Sequence, residues 1–347
     1  METISFEEFL RRLPKAELHC HLVGAIPAET AWEIATRNGV ELPASGPESL
    51  YDFGQFYEFI ERYMQVAEAM RTREDFAQAA YAALRAGHLA GNVRYREMFF
   101  NPTDHYRGGV AYPDLVDGLL DGIRQAEQDF GVRCRLIPSI NRMESPAVAV
   151  DMVRDVLRWR RDEVIGIGLD AAEPSGPPEN FAEAYRLAED AGLHRTAHVC
   201  EDYAGLDGGP PANALTALDL LHCDRLDHGY NLLADPAALA RCRDAAVPFT
   251  VCEPGSNEAR LPKRRESIRA MIDAGLPVSL HSDDPAMHGA DPGDVYVGAV
   301  TALGLDVDGA IDLCLAAVDA AWLDDTERRE LRSAFRQEIA GLRDRLA

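Results

Sequence analysis

The sequence predicts an α/β fold: eight short parallel strands alternating with helices and closed into a (β/α)8 barrel, with a helical insertion after strand 1. Three observations carry this expectation. Short β-type runs recur along the chain with amphipathic helical stretches between them, and that alternation implies a parallel sheet whose eight units favour closure. The length of 347 residues accommodates one such barrel with insertions. The unusual residues, histidines and acids, fall at the ends of the β-type runs, which in a barrel share one mouth. The domain expected is a single unit over residues 1–347, with 27–91 as a helical insertion over the mouth.

Taken in order, residues 1–13 read as a short helix with Ser5 as N-cap and Phe6, Phe9, Leu10 and Leu13 on one face. Ala16–Leu22 follows Pro14 and alternates, so it reads as the first strand. Successive strand side chains point to opposite faces, which puts His19 and His21 on the same one. Residues 27–91 are helical in pattern, with Pro27 at a helix start, then Phe53, Phe56, Tyr57, Phe59, Ile60 and Tyr63, then Phe76 to Leu89. Aromatics at helical period read as core, with a lid over a pocket as the alternative. The later β-type runs are Val93–Phe99, Arg133–Ser139, Val164–Leu169, Arg195–Val199, Arg225–Asp227, Val247–Cys252 and Pro277–Leu280. Helical stretches lie at 114–129, 146–160, 180–191, 212–221, 236–244 and 265–274. The Gly/Pro-rich patches at 174–178 and 205–211 are flanked by further β/α units and read as loops within one domain.

The apolar fraction of 47% supports a sizeable core. Lysine and arginine total 35 against 58 acids, a net charge of −23, which repels phosphate backbones and anionic lipid and argues against nucleic-acid and membrane partners. The seven cysteines are odd in number, scattered and never in a CxxC pair, which argues against a disulfide framework or a zinc knuckle and for a cytoplasmic location. The N-terminus lacks a basic signal-peptide region, and no apolar run approaches the ~18 residues of a membrane span.

The constellation at the strand ends carries the chemistry. His19, His21, His198 and one of Asp283 or Asp284 offer nitrogen and oxygen ligands of the kind zinc takes, with a position left for water. A bound divalent ion makes hydroxide accessible at neutral pH. Glu201, three residues beyond His198, faces such a water or the substrate, and His228 is a second group to move or orient its proton. Each has a plainer reading: an incidental His-x-His on a strand, solvated acids or helix caps at Glu201-Asp202 and Asp283-Asp284, a turn residue at His228 before Gly229. Joint placement after successive strands favours the functional one. His88, His105, His194, His222 and His288 lack such company and read as surface or core residues.

These residues carry a family resemblance. Pro14-Lys15-Ala16-Glu17-Leu18-His19-Cys20-His21-Leu22-Val23-Gly24-Ala25 resembles the opening signature of the adenosine deaminase family within the amidohydrolase superfamily. The likeness continues in order through Tyr95-Arg96-Glu97-Met98-Phe99 with Pro102, His198-Val199-Cys200-Glu201, Arg225-Leu226-Asp227-His228-Gly229 and Ser279-Leu280-His281-Ser282-Asp283-Asp284-Pro285, spanning roughly 13–290. The resemblance implies a (β/α)8 barrel holding one zinc ion (Zn2+) per chain through His19, His21, His198 and Asp283. It further implies that Glu201 protonates purine N1 while hydroxide aligned by His228 attacks C6, that Asp284 hydrogen-bonds N7, and that ammonia leaves. The chemistry agrees, because an aromatic amine leaves poorly until the ring is protonated. Val164-Ile165-Gly166-Ile167-Gly168-Leu169 has no lysine to bridge a second metal, and no Pro-Cys-x-x-Cys of the base-editing zinc deaminases occurs.

Departures from the family pattern bear on the substrate. Val23 stands two residues after the second histidine, on the continued alternation, where adenosine deaminases carry an aspartate for the ribose 5′-hydroxyl and adenine deaminases commonly a glutamate. An apolar side chain cannot accept that bond. Ala171 aligns with a glycine whose amide meets the purine, His281 replaces an asparagine, and Cys252-Glu253-Pro254-Gly255-Ser256-Asn257 resembles the seventh-strand segment with an extra residue. The substrate expected is an adenine nucleoside, 5′-modified as in aminodeoxyfutalosine, with Arg107 and Arg142 placed to meet a carboxylate; the alternative is adenosine or free adenine. Other classes are a non-catalytic purine-binding barrel and a zinc-dependent amide or ester hydrolase.

Overall fold

The computed structural model describes residues 3–203, 207–253 and 263–347. Helix α1 (Phe6–Arg12) starts at Ser5, whose Oγ accepts the Glu8 N–H at 3.1 Å. Strand β1 (Lys15–His21) is buried along its whole length. Helices α2 (Ala28–Arg37), α3 (Phe56–Ala69) and α4 (Arg73–Gly91) fill the excursion before β2 (Val93–Phe100). The alternation then runs α5 (Pro102–Tyr106), α6 (Tyr112–Phe130), β3 (Arg133–Asn141), α7 (Pro146–Arg158), β4 (Gly166–Asp170), α8 (Ala182–Asp190), β5 (His194–Arg195) and β6 (His198–Val199). It continues with α9 (Ala212–Asp219), β7 (Leu226–His228), α10 (Pro236–Asp244), β8 (Phe249–Cys252), α11 (Lys263–Asp273) and β9 (Val278–His281). Four helices follow: α12 (Pro285–His288), α13 (Pro292–Ala302), α14 (Val307–Ala320) and α15 (Asp325–Arg343).

Every strand pairing is parallel, in the orders β1-β2-β3-β4-β5 and β6-β7-β8-β9. The two sets join into a (β/α)8 barrel. On one side Thr196 N–H donates to Ile167 O at 3.1 Å and Asp227 N–H to Ala197 O at 3.0 Å, so 194–199 is one course interrupted at Thr196-Ala197. On the other, His21 N–H donates to Asp283 O at 2.9 Å and Asp283 N–H to His19 O at 3.1 Å. The residue expected to be asparagine, His281, secures this seam: its Nδ1 accepts the Leu18 N–H at 3.1 Å, and its Nε2 lies 2.8 Å from Ser279 Oγ.

Strand ends differ from the sequence expectation in an instructive way. The runs expected at 225–227 and 277–280 are shifted by one residue, to Leu226–His228 and Val278–His281, so each strand ends on a histidine. The strand expected from Val247 begins only at Phe249, after Pro248, which has no N–H for the ladder. Among the described residues no strand follows β9 to alternate with the helices from Pro285 onward; α14 packs against β1 and β9. The 254–257 part of the expected seventh-strand segment and 205–206 of the expected loop lie outside the described residues. The seven cysteines are all buried and free. Among the described residues no helix is long and apolar enough to cross a membrane.

Candidate active site

The barrel mouth opens into a cavity. Its floor is set by strand ends: His21 on β1, Asp170 on β4, His198 on β6, His228 on β7 and Asp283 and Asp284 after β9 all line it. At Ala171, Cys200, His228 and Asp283 the backbone turns into the left-handed region, with φ of 67°, 55°, 69° and 63°. Non-glycine residues adopt this conformation at a cost of about 1 kcal/mol or more, and such positions cluster at functional sites. Each lies at or just beyond a strand end, and Ala171, His228 and Asp283 themselves line the cavity, as does Glu201 next to Cys200. Gly24 is required for a related reason, since a Cβ there would collide with the Asp284 side chain.

The histidine tautomers follow from their outer partners. Thr250 Oγ1 donates to Asp227 Oδ1 at 2.7 Å, so His19 Nδ1–H must be the donor to Thr250 O and Oγ1 at 3.2 and 3.1 Å. His198 Nδ1 faces Asp227 Oδ2 at 3.2 Å. Both arrangements turn an Nε2 lone pair inward, as outer-shell partners do for metal ligands. Tyr230 OH donates to Cys252 O at 2.8 Å and accepts the Cys252 N–H at 2.8 Å, leaving its oxygen to accept from His228 Nδ1–H at 3.1 Å. His228 Nε2 is then unprotonated and sits 3.5 Å from Glu201 Oε2.

What these inward lone pairs meet is one another. His21 Nε2 lies 3.1 Å from His198 Nε2, and Asp283 Oδ1 lies 3.2 Å from His19 Nε2 and 3.4 Å from His21 Nε2. His19 Nε2 has no hydrogen-bond partner among the described residues. Donor atoms of His19, His198, His228 and Asp283 lie within 4.8 Å of one another, and those of His21, Asp283 and Asp284 form an overlapping group. Buried acceptors converging in this way are costly unless a cation sits among them, so the residues fit a divalent metal ion. The acids make the same demand on His21: against the effect of burial, Asp284, Asp283 and Asp170 drive it up to about 10.

Around this centre the acids are tuned apart. Burial, aided by Asp283 and opposed by Arg264, pushes Glu201 up to about 8. Burial and the adjacent Asp283 carboxylate hold Asp284 well above the usual range, and its Oδ1 has no hydrogen-bond partner among the described residues. Asp283 is well below that range because the histidines outweigh its burial. His228 is held well below its ordinary value by burial and the nearby His19 and His198.

The other expected residues are placed as follows. Ala171 lines the cavity. Val23 does not: β1 ends at His21, Val23 opens a 3-10 turn (Val23–Ala25), and at 2% exposure its side chain joins the apolar core. Arg107 is exposed and Arg142 is buried, donating from Nη2 to His198 O at 2.7 Å; neither lines the cavity. The aromatics Phe53, Phe56, Phe59 and Tyr63 of the excursion form one cavity wall, Phe53, Phe59 and Tyr63 also packing on the core, and His288 joins them, its ring 5.5 Å from that of Phe59. Sequence reasoning missed Arg264, whose guanidinium lies over the Tyr230 ring at 4.4 Å, donates to Asp202 Oδ1 at 2.8 Å and reaches Glu201 Oε1 at 3.4 Å. A basic residue beside Lys263 and Arg265 carried no distinguishing signal.

A family model described as adenosine deaminase matches residues 14–338. The chain is 36% identical over 339 residues to the adenine deaminase of Streptomyces coelicolor, covering 96% of this chain and 97% of that protein. It is 34% identical over 329 residues to the adenine deaminase of Caulobacter vibrioides, covering 93% of each. Among solved structures it is similar to an amidohydrolase from Burkhoderia ambifaria with bound zinc, at 34% identity and a TM-score of 0.89, covering 99% of this chain and 95% of that one. The adenine deaminase from Arthrobacter aurescens superposes with a TM-score of 0.85 at 32% identity, covering 94% and 98%.

Proposed function

The chain belongs to the adenosine deaminase family and is a hydrolytic deaminase, and from that premise we propose that it converts free adenine and water to hypoxanthine and ammonia with one zinc ion as cofactor. The observation that carries the choice of base over nucleoside is Val23. Buried in an apolar turn outside the cavity lining, it supplies no acceptor for a ribose hydroxyl. The relatives named adenine deaminase at 36% and 34% identity support the same choice. This replaces the 5′-modified nucleoside expected from sequence. The arginines invoked to meet its carboxylate do not line the cavity: Arg142 is buried with Nη2 donating to His198 O, and Arg107 is exposed.

In this reading His19, His21, His198 and Asp283 hold the ion, which when bound supplies an activated water at neutral pH. Glu201, protonated through neutrality by its raised pKa of about 8, delivers its proton to ring N1. His228 offers the unprotonated Nε2 that its bond to Tyr230 leaves facing Glu201, and so holds or takes the proton of the attacking water. Asp284, its carboxyl held well above the usual range by burial and Asp283, hydrogen-bonds N7, and the Ala171 N–H faces N3. The aromatic wall from α3 keeps bulk water off the ring. The proton donors and acceptors surround a heterocycle, which favours deamination over amide or ester hydrolysis. The test is an ultraviolet screen of 6-aminopurines. Adenine is expected to give the largest kcat/KM; a larger value for adenosine or a 5′-modified nucleoside removes the free-base reading, and no turnover of any aminopurine returns the non-catalytic one.

A further inference from the structure

The closure order of the barrel places the ends of β2 and β3 across the mouth from β7, which ends on His228, and β8, which precedes Arg264. That far wall is polar, built from Asn101, Asp104 and Asn141. The two asparagines are committed to the protein. Asn101 Nδ2 donates to Asp170 Oδ1 at 2.8 Å and to Ser139 O at 3.3 Å, while its Oδ1 accepts from Tyr63 OH at 3.2 Å. Asn141 Oδ1 accepts the Met143 N–H at 3.0 Å, and its Nδ2 donates to Asp104 Oδ1 at 3.2 Å. Asp104 differs: it is 5% exposed, Asn141 holds one oxygen, and the other makes no hydrogen bond among the described residues. Asp104 lines the cavity, and an oxygen there with no donor among the described residues is free to accept from a ligand. The cavity can therefore receive an N–H or O–H at this point.

Resting on the free-adenine reading, we propose that Asp104 determines specificity by accepting a hydrogen bond from N9–H of the purine. With C6 over the metal cluster, N1 at Glu201 and N7 at Asp284, the remaining edge of the ring, N3 and N9, would face the wall that holds Asp104. Free adenine in water carries its imidazole proton predominantly on N9. A nucleoside or any N9-alkylated purine has no proton there and leaves the carboxyl unmet. The bond thus distinguishes base from nucleoside by what the site would otherwise leave unpaired, the effective way to discriminate.

The test measures kcat/KM for adenine and 9-methyladenine with the zinc-loaded wild-type enzyme, Asp104→Leu and Asp104→Asn. The adenine over 9-methyladenine ratio is expected to fall by about tenfold to a hundredfold in Asp104→Leu and in the same direction but less in Asp104→Asn, whose amide oxygen is a weaker acceptor. An unchanged ratio, with both substrates affected equally, overturns the proposal and leaves adenine as substrate. A wild type that fails on adenine but deaminates another aminopurine overturns the substrate reading and this proposal with it. Should Asp104→Leu not fold, product inhibition of the wild type by hypoxanthine and 9-methylhypoxanthine decides: about tenfold tighter inhibition by hypoxanthine, together with the Asp104→Asn shift, supports the role, and equal inhibition removes it.

Discussion

The carboxylate of Glu173 accepts the backbone N–H of Glu201 at 3.1 Å, and its second oxygen accepts the N–H of Cys200 at 3.0 Å. Asn213 Nδ2 braces that second oxygen at 2.6 Å. The clasp lies where Cys200 takes a φ of 55°, so a buried side chain from the loop after β4 holds the left-handed turn that aims Glu201 into the cavity. Glu173 does not line the cavity and acts through Glu201. Glu173→Gln replaces one acceptor with a donor facing an N–H; kcat is expected to fall about tenfold or more with KM little changed, alongside a stability loss of about 1.5–3 kcal/mol. Steady-state kinetics with denaturant unfolding checks this, and a stability loss with kcat intact reduces Glu173 to a structural residue.

As the proposed proton donor, Glu201 is expected to set the alkaline limb of activity. Burial raises its pKa to about 8, so the acid form dominates at neutrality and is lost as pH climbs through that value. The expected kcat/KM profile bends down near pH 8 and falls about tenfold per pH unit above it. Glu201→Gln should lower turnover by about 10²–10⁴-fold and retain the metal. A profile flat to about pH 10 in the wild type removes Glu201 as the proton donor.

Metal removal tests the inward-facing cluster directly. With His21 Nε2 and His198 Nε2 3.1 Å apart and Asp283 Oδ1 beside them, loss of a cation returns these groups to mutual conflict or to protonation. Chelation should abolish activity and lower the melting temperature, and zinc should restore both; ligand present at a thousandfold its Kd adds about 4 kcal/mol to stability. His198→Ala should carry less than half the metal of the wild type. Equal metal content in the two proteins places the ion elsewhere.

What is legible in the sequence is whatever repeats or clusters along it. The β/α alternation points to the barrel, and because strands in that fold end at a common mouth, His19, His21, His198, His228 and Asp283 group together on their positions along the chain alone. Contacts made by single residues across the fold leave no such trace. Arg264 sits among other basic residues of α11, Glu173 sits in a loop rich in glycine and proline, and His288 ends α12 with no strand residue beside it, yet all three reach the site or hold it. The alternation that places His19 and His21 on one face does not extend to the next step. It stops at His21, where the chain turns into a 3-10 helix, so Val23 leaves the face its spacing assigns.

That displacement makes Val23→Asp an informative variant. Were position 23 on the cavity wall, a carboxylate there would restore the sugar contact of adenosine deaminases and raise adenosine turnover. The valine instead has 2% exposure within the apolar core, so an aspartate would bury a charge without a partner. Its cost is expected to be about 3 kcal/mol or more, read as a lowered denaturation midpoint, with the adenosine to adenine ratio of kcat/KM unchanged. A folded variant of wild-type stability with at least about tenfold more adenosine activity would show that the turn can present this side chain to the substrate, and the argument for the free base from Val23 would fail.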